Sequence, residues 1–197
     1  GWDLSFSWRD NISDFQYGAT FVLSDVRNEV VDLKGVKRTG LTVSNEGYPI
    51  NSLYGLEAIG FIQESDYDEN GKYLYATQYG NFGPGDIKYK DQNKDGVIDD
   101  KDEKIIGSTI PRFNFSLNLN ASWKGFDLSM FWQGVGKADG YLYGNATMPF
   151  IMGGTALEMH KDYWTSENPN ATFPRLAFNE INNEKNSTFW MKSAAYL

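Results

Sequence analysis

Two long runs of strict alternation between apolar and polar residues constrain the fold of this chain more than any other feature. The first run has apolar residues at every second position on either side of a short polar break, at Trp2, Leu4, Phe6, Trp8, Phe15, Tyr17, Ala19, Phe21 and Leu23. The second run does the same around Lys124-Gly125, at Phe113, Phe115, Leu117, Leu119, Ala121, Trp123, Phe126, Leu128, Met130 and Trp132. A period of two is typical of β-strands, and a short turn between two such runs predicts a β-hairpin.

The connections outside these hairpins are unusually long. About 80 residues separate the first hairpin from the second, and about 50 separate the second from a strand-like segment at 189–191. Compact soluble sheets rarely have such connections, whereas transmembrane barrels combine short turns at one end with long loops at the other. Trp123, Phe126 and Trp132 lie near the hairpin ends, where the aromatic residues of a barrel meet the membrane interface. The open alternative is a soluble antiparallel sandwich whose apolar faces meet in a core.

We therefore expect a mainly β fold, made of antiparallel strands of a partial transmembrane β-barrel with long extracellular loops. Four or five strands cannot close a barrel, because the smallest membrane barrels have about eight. The pattern predicts that residues 1–197 are a barrel fragment, with a hairpin at 1–26, a long loop at 27–111, a hairpin at 112–134, a long loop at 135–187 and the start of another strand at 188–197.

The strongest chemical motif is the acidic segment 91–102, which matches the pattern D-x-[DN]-x-[DN]-G of calcium-binding loops. Ca²⁺ prefers six to eight oxygen ligands, and alternate positions of a tight loop can supply them. Gly96 permits the sharp turn, Ile98 is placed to anchor the loop, and Glu103 could replace the shorter final aspartate. The predicted ligands of a structural calcium ion are Asp91, Asn93, Asp95, the carbonyl group of Val97, Asp99 and Asp102. The alternative is a solvated acidic turn without a metal.

Composition and the remaining motifs exclude several functional classes. The formal net charge of −8 argues against nucleic acid as a partner. The chain has no cysteine and a single histidine, His160, which excludes thiol catalysis and zinc sites with several histidines. No G-x-S-x-G sequence surrounds any serine. We expect that the chain is not an enzyme, since carboxylate pairs alone would have to perform the chemistry.

Several further segments, in the same order along the chain, resemble one family. Residues 84–89, the acidic loop and residues 106–113 form one continuous stretch, and the hairpin around Lys124-Gly125 follows it. Shorter similarities lie at 47–50, 163–171 and 189–197. This succession resembles the SusC/RagA family of TonB-dependent outer-membrane transporters of Bacteroidetes.

The resemblance implies a barrel of about 22 strands with an N-terminal plug, which takes up oligosaccharides or peptides across the outer membrane. It also implies a SusD-like lipoprotein partner and a TonB contact through an N-terminal segment outside this chain. The apolar strand faces would contact outer-membrane lipid, and the Asn/Ser faces would line the lumen. Candidates for stacking on sugar rings in the loops, where mutual packing is the alternative role, are Tyr54, Tyr73, Tyr75, Tyr141 and Tyr143.

The alternative function is a secreted, calcium-stabilised, β-rich glycan-binding module. This alternative predicts that Trp123 and Trp132 are buried in a core, whereas the membrane interpretation predicts that they are exposed at the surface of the sheet.

Overall fold

The computed structural model describes residues 1–35, 37–178 and 182–197, without the side chains of residues 37–39. Antiparallel β-sheets dominate it, and the helical elements within these ranges are 3₁₀ turns of three or four residues. The mainly β, antiparallel fold predicted from the alternation is therefore confirmed. Within the described ranges, no helix is both long and apolar enough to cross a membrane.

The strands differ greatly in length, and four of them are much longer than the rest. The strands in the described residues are β1 (Trp2–Ile12), β2 (Phe15–Asp25), β3 (Lys37–Thr39), β4 (Thr42–Ser44), β5 (Ser52–Gly55), β6 (Ala58–Phe61), β7 (Ile87–Tyr89), β8 (Lys104–Gly107), β9 (Arg112–Trp123), β10 (Phe126–Lys137), β11 (Asp139–Tyr141) and β12 (Met191–Ser193). The 3₁₀ turns lie at Glu64–Asp66, Asp100–Asp102, Ile151–Gly153, Glu158–Lys161 and Thr188–Trp190.

The four long strands form one antiparallel sheet in the order β1-β2-β9-β10. Each hairpin places its own two strands side by side, and β2 pairs with β9 to join the hairpins. The turn between β9 and β10 has positive φ angles at both Lys124 (46°) and Gly125 (84°). Positive φ at both central residues is the geometry of the tight type I′ turn that matches the twist of paired strands.

The register of this sheet aligns its apolar residues in rows across all four strands. One row contains Trp8, Ala19, Leu119 and Met130, and the row nearest the two tight turns contains Ile12, Phe15, Trp123 and Phe126. Because side chains alternate between the two faces of a strand, each row belongs to a single face of the sheet. Large apolar side chains on this face are exposed, among them Trp2, Leu4, Phe6, Trp8, Trp123, Phe126, Leu128 and Trp132.

The hydrophobic core lies in the two long connections and not beneath the sheet. Short strands from the first connection form the sheet β3-β4-β5-β8 and the pair β6-β7, and the second connection contributes β11, which pairs with β12. These segments enclose one cluster of buried residues, made of Leu56, Ile87, Tyr89, Ile98, Met148, Ile151, Phe173 and Trp190. Both long connections therefore fold together into a layer with its own interior, which we call the loop layer.

Buried polar groups tie the two connections of the loop layer together. The Asp86 side chain is fully buried and accepts hydrogen bonds from Arg175 Nε (2.7 Å) and Asn183 Nδ2 (2.8 Å). Asn183 Oδ1 accepts from the backbone N–H of Ile87 (2.8 Å), and Asn182 Nδ2 donates to the Ile87 carbonyl (2.7 Å). Since a buried carboxylate is stable only when it is paired and hydrogen-bonded, these contacts hold segments about 95 residues apart in one arrangement.

Substituting Asp86→Ala should destabilise the loop layer by about 3 kcal/mol, because it removes the buried carboxylate that accepts hydrogen bonds from Arg175 and Asn183. Chemical denaturation followed by the fluorescence of the buried Trp164 and Trp190 measures this change. The control is Glu158→Ala, whose ion pair with Lys161 is exposed and should contribute no more than about 0.5 kcal/mol. Equal stabilities of the two variants would contradict the role of Asp86.

Candidate functional site

The acidic loop 91–102 lies between β7 and β8 and is anchored to the loop layer by its apolar residue. The Ile98 side chain is buried in the core cluster, as its position in the motif predicts. The backbone N–H of Ile98 donates to the Thr77 carbonyl (2.8 Å), and the N–H of Thr77 donates to the Gly96 carbonyl (3.0 Å). The middle of the loop is therefore fixed to the rest of the protein by backbone pairing.

The first half of the loop is shaped by its own carboxylate and amide oxygens. Asp91 accepts hydrogen bonds from the backbone N–H groups of Lys94 (2.6 Å) and Gly96 (2.9 Å). Asn93 Oδ1 accepts from the N–H of Asp95 (2.9 Å), and Asp95 Oδ1 accepts from the N–H of Val97 (3.0 Å). Gly96 has a φ of +86°, a conformation that glycine adopts without strain. The loop thus follows the tight path that the sequence motif predicts.

Asp102 closes the loop from its other end. Its side chain is fully buried, and Oδ1 accepts from the N–H of Gln92 (2.8 Å) while Oδ2 accepts from the N–H of Asp99 (2.9 Å). Asp102 is shorter than the glutamate that calcium loops usually have at this position, and it nevertheless reaches the start of the loop.

A lysine ammonium group already lies against two of the predicted metal ligands. Lys101 Nζ is 3.2 Å from Asp99 Oδ2 and 3.8 Å from Asp95 Oδ2. The backbone N–H and the side chain of Lys101 lower the pKa of Asp99, and the Asp99 carboxylate raises the pKa of Lys101. The loop therefore concentrates enough negative charge to hold a cation at its surface.

The predicted ligands do not converge on a single point in this arrangement. In the part of the chain that the structure describes, no three acidic or histidine side chains gather in the geometry of a metal site. The oxygens of Asp91, Asn93 and Asp95 point to backbone N–H groups of the loop itself. The side chains of the loop carry the oxygen atoms that Ca²⁺ prefers, and the Lys101 ammonium group lies against Asp95 and Asp99.

Glu57 stabilises the acidic loop through side-chain hydrogen bonds, although it belongs to no sequence motif. Its Oε2 atom accepts hydrogen bonds from Lys104 Nζ (2.7 Å) and Gln92 Nε2 (2.8 Å), and Lys90 Nζ is 3.3 Å away. The hydrogen bonds from Lys104 and Gln92, together with Lys90, lower the pKa of Glu57 to about 2. Glu57, which follows β5, therefore joins the start of the acidic loop to the first residue of β8.

The five tyrosines considered for sugar stacking fall into two groups. Tyr73 packs against Tyr67 and Phe82, and burial raises the pKa of Tyr141 to about 12 while its hydroxyl group accepts from the N–H of Ser187. Tyr54 is also largely covered. Two remain exposed, namely Tyr75 (56%) and Tyr143 (59%). Packing is therefore the main role of the first group. In the second group, Lys88 Nζ lies 3.3 Å from the centre of the Tyr75 ring and covers one face of it.

His160 is a packing residue. It is fully buried; Nδ1 accepts from the N–H of Leu157 (2.9 Å), and Nε2 lies 3.0 Å from the Thr147 carbonyl. Its ring contacts Phe173 edge to face, with the ring centroids 4.8 Å apart. Both ring nitrogens are occupied by backbone groups, so this arrangement leaves neither of them for a substrate.

The four long strands form an antiparallel sheet with a large exposed apolar face. Comparisons with known proteins show which proteins share this fold. No protein-family model matches the chain. TonB-dependent receptor P26 of Formosa agariphila is 25% identical over 210 residues, which cover 100% of this chain and 21% of the receptor. TonB-dependent receptor P3 of the same organism is 27% identical over 195 residues, covering 91% of this chain and 19% of the receptor.

A solved structure described as that of the RagAB peptide transporter has the same fold. The TM-score is 0.68 at 19% identity, and the match covers 98% of this chain and 20% of the other. These findings confirm the resemblance seen in the sequence: the chain is similar to a segment of TonB-dependent receptors and shares its fold with a segment of the RagAB transporter. It spans about a fifth of the length of the relatives that it matches.

The low pKa of Glu57 predicts a specific pH dependence of stability. The ordinary pKa of 4.5 falls to about 2 in the folded protein, so this stabilisation is present above pH 4.5 and is lost as the pH falls towards 2. Glu57→Gln should lower the free energy of unfolding by about 1 kcal/mol at pH 7, after allowance for solvent screening of the partly exposed group.

Urea denaturation of both proteins at pH 7, 5, 4 and 3 measures this difference, which should shrink below pH 4.5. Glu69→Gln, at an exposed position, is the matched control and should leave stability unchanged. A difference for Glu57→Gln that stays constant across these pH values would contradict the assigned role of its ionised carboxylate.

Proposed function

We propose that this chain belongs to an outer-membrane nutrient importer that is powered by TonB. The main observation behind the proposal is that the long connections enclose the apolar core, whereas the long strands expose their apolar residues. The loop layer has a closed core, whereas the four-stranded sheet exposes a largely apolar face, interrupted by Asp10, with Trp8, Trp123 and Trp132 on it. A water-exposed apolar surface of this extent is unfavourable, so the face needs a cover such as the hydrocarbon of a membrane.

The dimensions of the sheet support a membrane-spanning role. Its strands have 11 or 12 residues. At a rise of about 3.3 Å per residue and a tilt of about 45°, such strands cross roughly 25–28 Å, close to the apolar band of about 25 Å in outer-membrane barrels. The opposite face presents Asn114, Ser116, Asn118, Asn120 and Ser122, which suit a polar lumen.

The alternative of a secreted glycan-binding module is disfavoured by the same surface. That alternative requires buried tryptophans, yet Trp123 is 51% exposed and Trp132 is 38% exposed. The relatives are named as receptors and a transporter, which agrees with a role other than catalysis.

The finer points of the proposal follow from the family resemblance. We infer that a SusD-like lipoprotein assists uptake from the outside, and that TonB acts through an N-terminal segment beyond this chain. The imported nutrient is an oligosaccharide or a peptide, and a relative of known structure is described as a peptide transporter. The exposed ring of Tyr143 is available to contact it.

The location and class of the protein are tested by fractionating source cells and detecting this chain with an antibody. A barrel protein resists unfolding by detergent at room temperature, so we expect an outer-membrane band whose mobility changes on boiling. A soluble band of unchanged mobility would contradict the proposal. Growth of a deletion strain on peptides and on oligosaccharides as sole nutrient then distinguishes the two substrate classes.

We also propose that the acidic loop binds a structural Ca²⁺ ion through Asp91, Asn93, Asp95, the Val97 carbonyl, Asp99 and Asp102. Support comes from the folded path of the loop, the buried Asp102 that draws its ends together, and the ammonium group of Lys101 between two aspartates. An ion there would supply a rigid centre for the loop and would hold it against β8. Its oxygens are the hard ligands that Ca²⁺ prefers.

Calorimetric titration with Ca²⁺ tests this site. Asp95→Ala removes a central ligand and should weaken binding by at least about tenfold. Asp68→Asn is the matched control, because Asp68 also accepts backbone N–H bonds, from Asn70 and Lys72, but lies outside the motif. Equal affinity of Asp95→Ala and the unaltered protein would show that the loop is not the calcium site.

Substitution of Lys101 tests the same site by an expected increase in Ca²⁺ affinity. Its ammonium group lies against Asp95 and Asp99, so Lys101→Met removes a competing cation and should strengthen Ca²⁺ binding about fivefold. Lys94→Met, in the same loop, is the comparison, since its N–H and not its ammonium group contacts Asp91. An unchanged or weaker affinity of Lys101→Met would contradict competition at this position.

A further inference from the structure

Two alanines create a depression in the otherwise bulky apolar face of the sheet. Ala19 on β2 lies in the row of Trp8 and Leu119, and Ala121 on β9 lies in the adjacent row, between Tyr17 and Leu128. The methyl group of alanine is much smaller than the neighbouring side chains, so the surface of the sheet is recessed at these two diagonally adjacent positions. The depression therefore follows from the strand register, and neither hairpin alone would form it.

The depression is large enough to hold part of a ligand. It is an open groove of about 330 Å³, bordered by the side chains of Trp8, Tyr17, Leu119, Leu128 and Met130. Small-molecule sites in proteins have volumes of roughly 300–1,000 Å³, so the groove lies at the lower end of that range. Its walls are mainly apolar, which suits a hydrocarbon chain, and Asp10 lies beyond Tyr17 in the row of Ala121.

The backbone beneath the groove excludes an added strand as its occupant. Ala19 and Ala121 lie on β2 and β9, the two central strands, whose backbones pair with strands on both sides. A peptide strand that docked here would leave its own N–H and C=O groups without partners on this apolar surface. An acyl chain has no such groups to satisfy.

A cation lies where the head of such a chain would emerge. The groove is next to the row Ile12–Phe15–Trp123–Phe126, which borders the tight turns of the two hairpins. In the turn of the second hairpin, Lys124 Nζ lies 5.3 Å from the centre of the Trp123 ring. Aromatic rings and lysines occupy the headgroup level of membranes, where a lysine attracts phosphate groups.

We infer that this groove binds one phospholipid of the membrane leaflet on the side of the tight turns, with an acyl chain over Ala19 and Ala121 and the phosphate at Lys124. The inference rests on the proposed function, because it needs the sheet to lie in a membrane. The site is a fixed lipid position within the general lipid contact of the face, defined by the two alanines and the turn lysine.

Native mass spectrometry of the full receptor, purified in mild detergent and titrated with phosphatidylethanolamine, tests this inference. Ala19→Leu combined with Ala121→Leu fills the groove and should abolish retention of one lipid molecule. Lys124→Asn removes the charge but suits the same tight turn, and it should weaken that lipid about fivefold. The controls are Leu4→Phe, which adds bulk at the far end of the face, and Lys34→Gln in an exposed segment; both should retain the lipid.

Equal lipid retention in all variants would overturn the inference, as would full retention in Lys124→Asn, which would show that the phosphate does not bind there. Loss of receptor self-association in the groove-filling variant, without loss of lipid, would also overturn it and would assign the face to a second protein copy. The proposed function is checked separately, by testing whether each variant gives an outer-membrane band whose mobility changes on boiling. If every variant gives that band and lipid retention is unaltered, the lipid site is wrong and the proposed function stands.

Discussion

The buried hydrogen bonds of Asp86, Asn182 and Asn183 determine how the long connections of this protein fold. They join β7 to a segment about 95 residues later in the chain, and the apolar cluster around Leu56 and Trp190 closes over them. Closing such a long loop costs conformational entropy, and a polar group left unpaired in the interior costs more. The arrangement is therefore stable only when both connections are in place, so that two loops form one folded layer.

The hydrophobic core is formed by this layer and not by the four-stranded sheet. In a soluble sandwich, the apolar faces of the strands pack against one another and lose their exposure. Here the apolar interior is formed by short strands and turns, and the long strands present their apolar rows outward. The acidic loop belongs to the same layer, since Ile98 and Glu57 fix it to the loop layer and not to the sheet.

The sequence pattern predicts the long strands well because alternation is a local property of the chain. The alternation on either side of Trp123 and Phe126 predicts the tight turn, and the motif from Asp91 to Asp102 predicts the shape of the acidic loop. Contacts between distant residues leave no such periodic signal, so the roles of Asn182, Asn183 and Glu57 emerge only from the fold. The position of Lys101 against Asp99 and the groove at Ala19 and Ala121 depend on side-chain placement and strand register, which composition and spacing do not specify.

The central claim is that one face of the four-stranded sheet contacts lipid and the other faces a polar lumen. Because this chain contains no cysteine, single cysteines for spin labelling can be introduced along β9 at 117–122 in an otherwise cysteine-free receptor. Collisions with oxygen report contact with lipid, and collisions with a water-soluble nickel complex report contact with water. The account predicts strict alternation, with oxygen favoured at Leu117, Leu119 and Ala121 and nickel favoured at the intervening positions. High nickel accessibility at all six positions would contradict it.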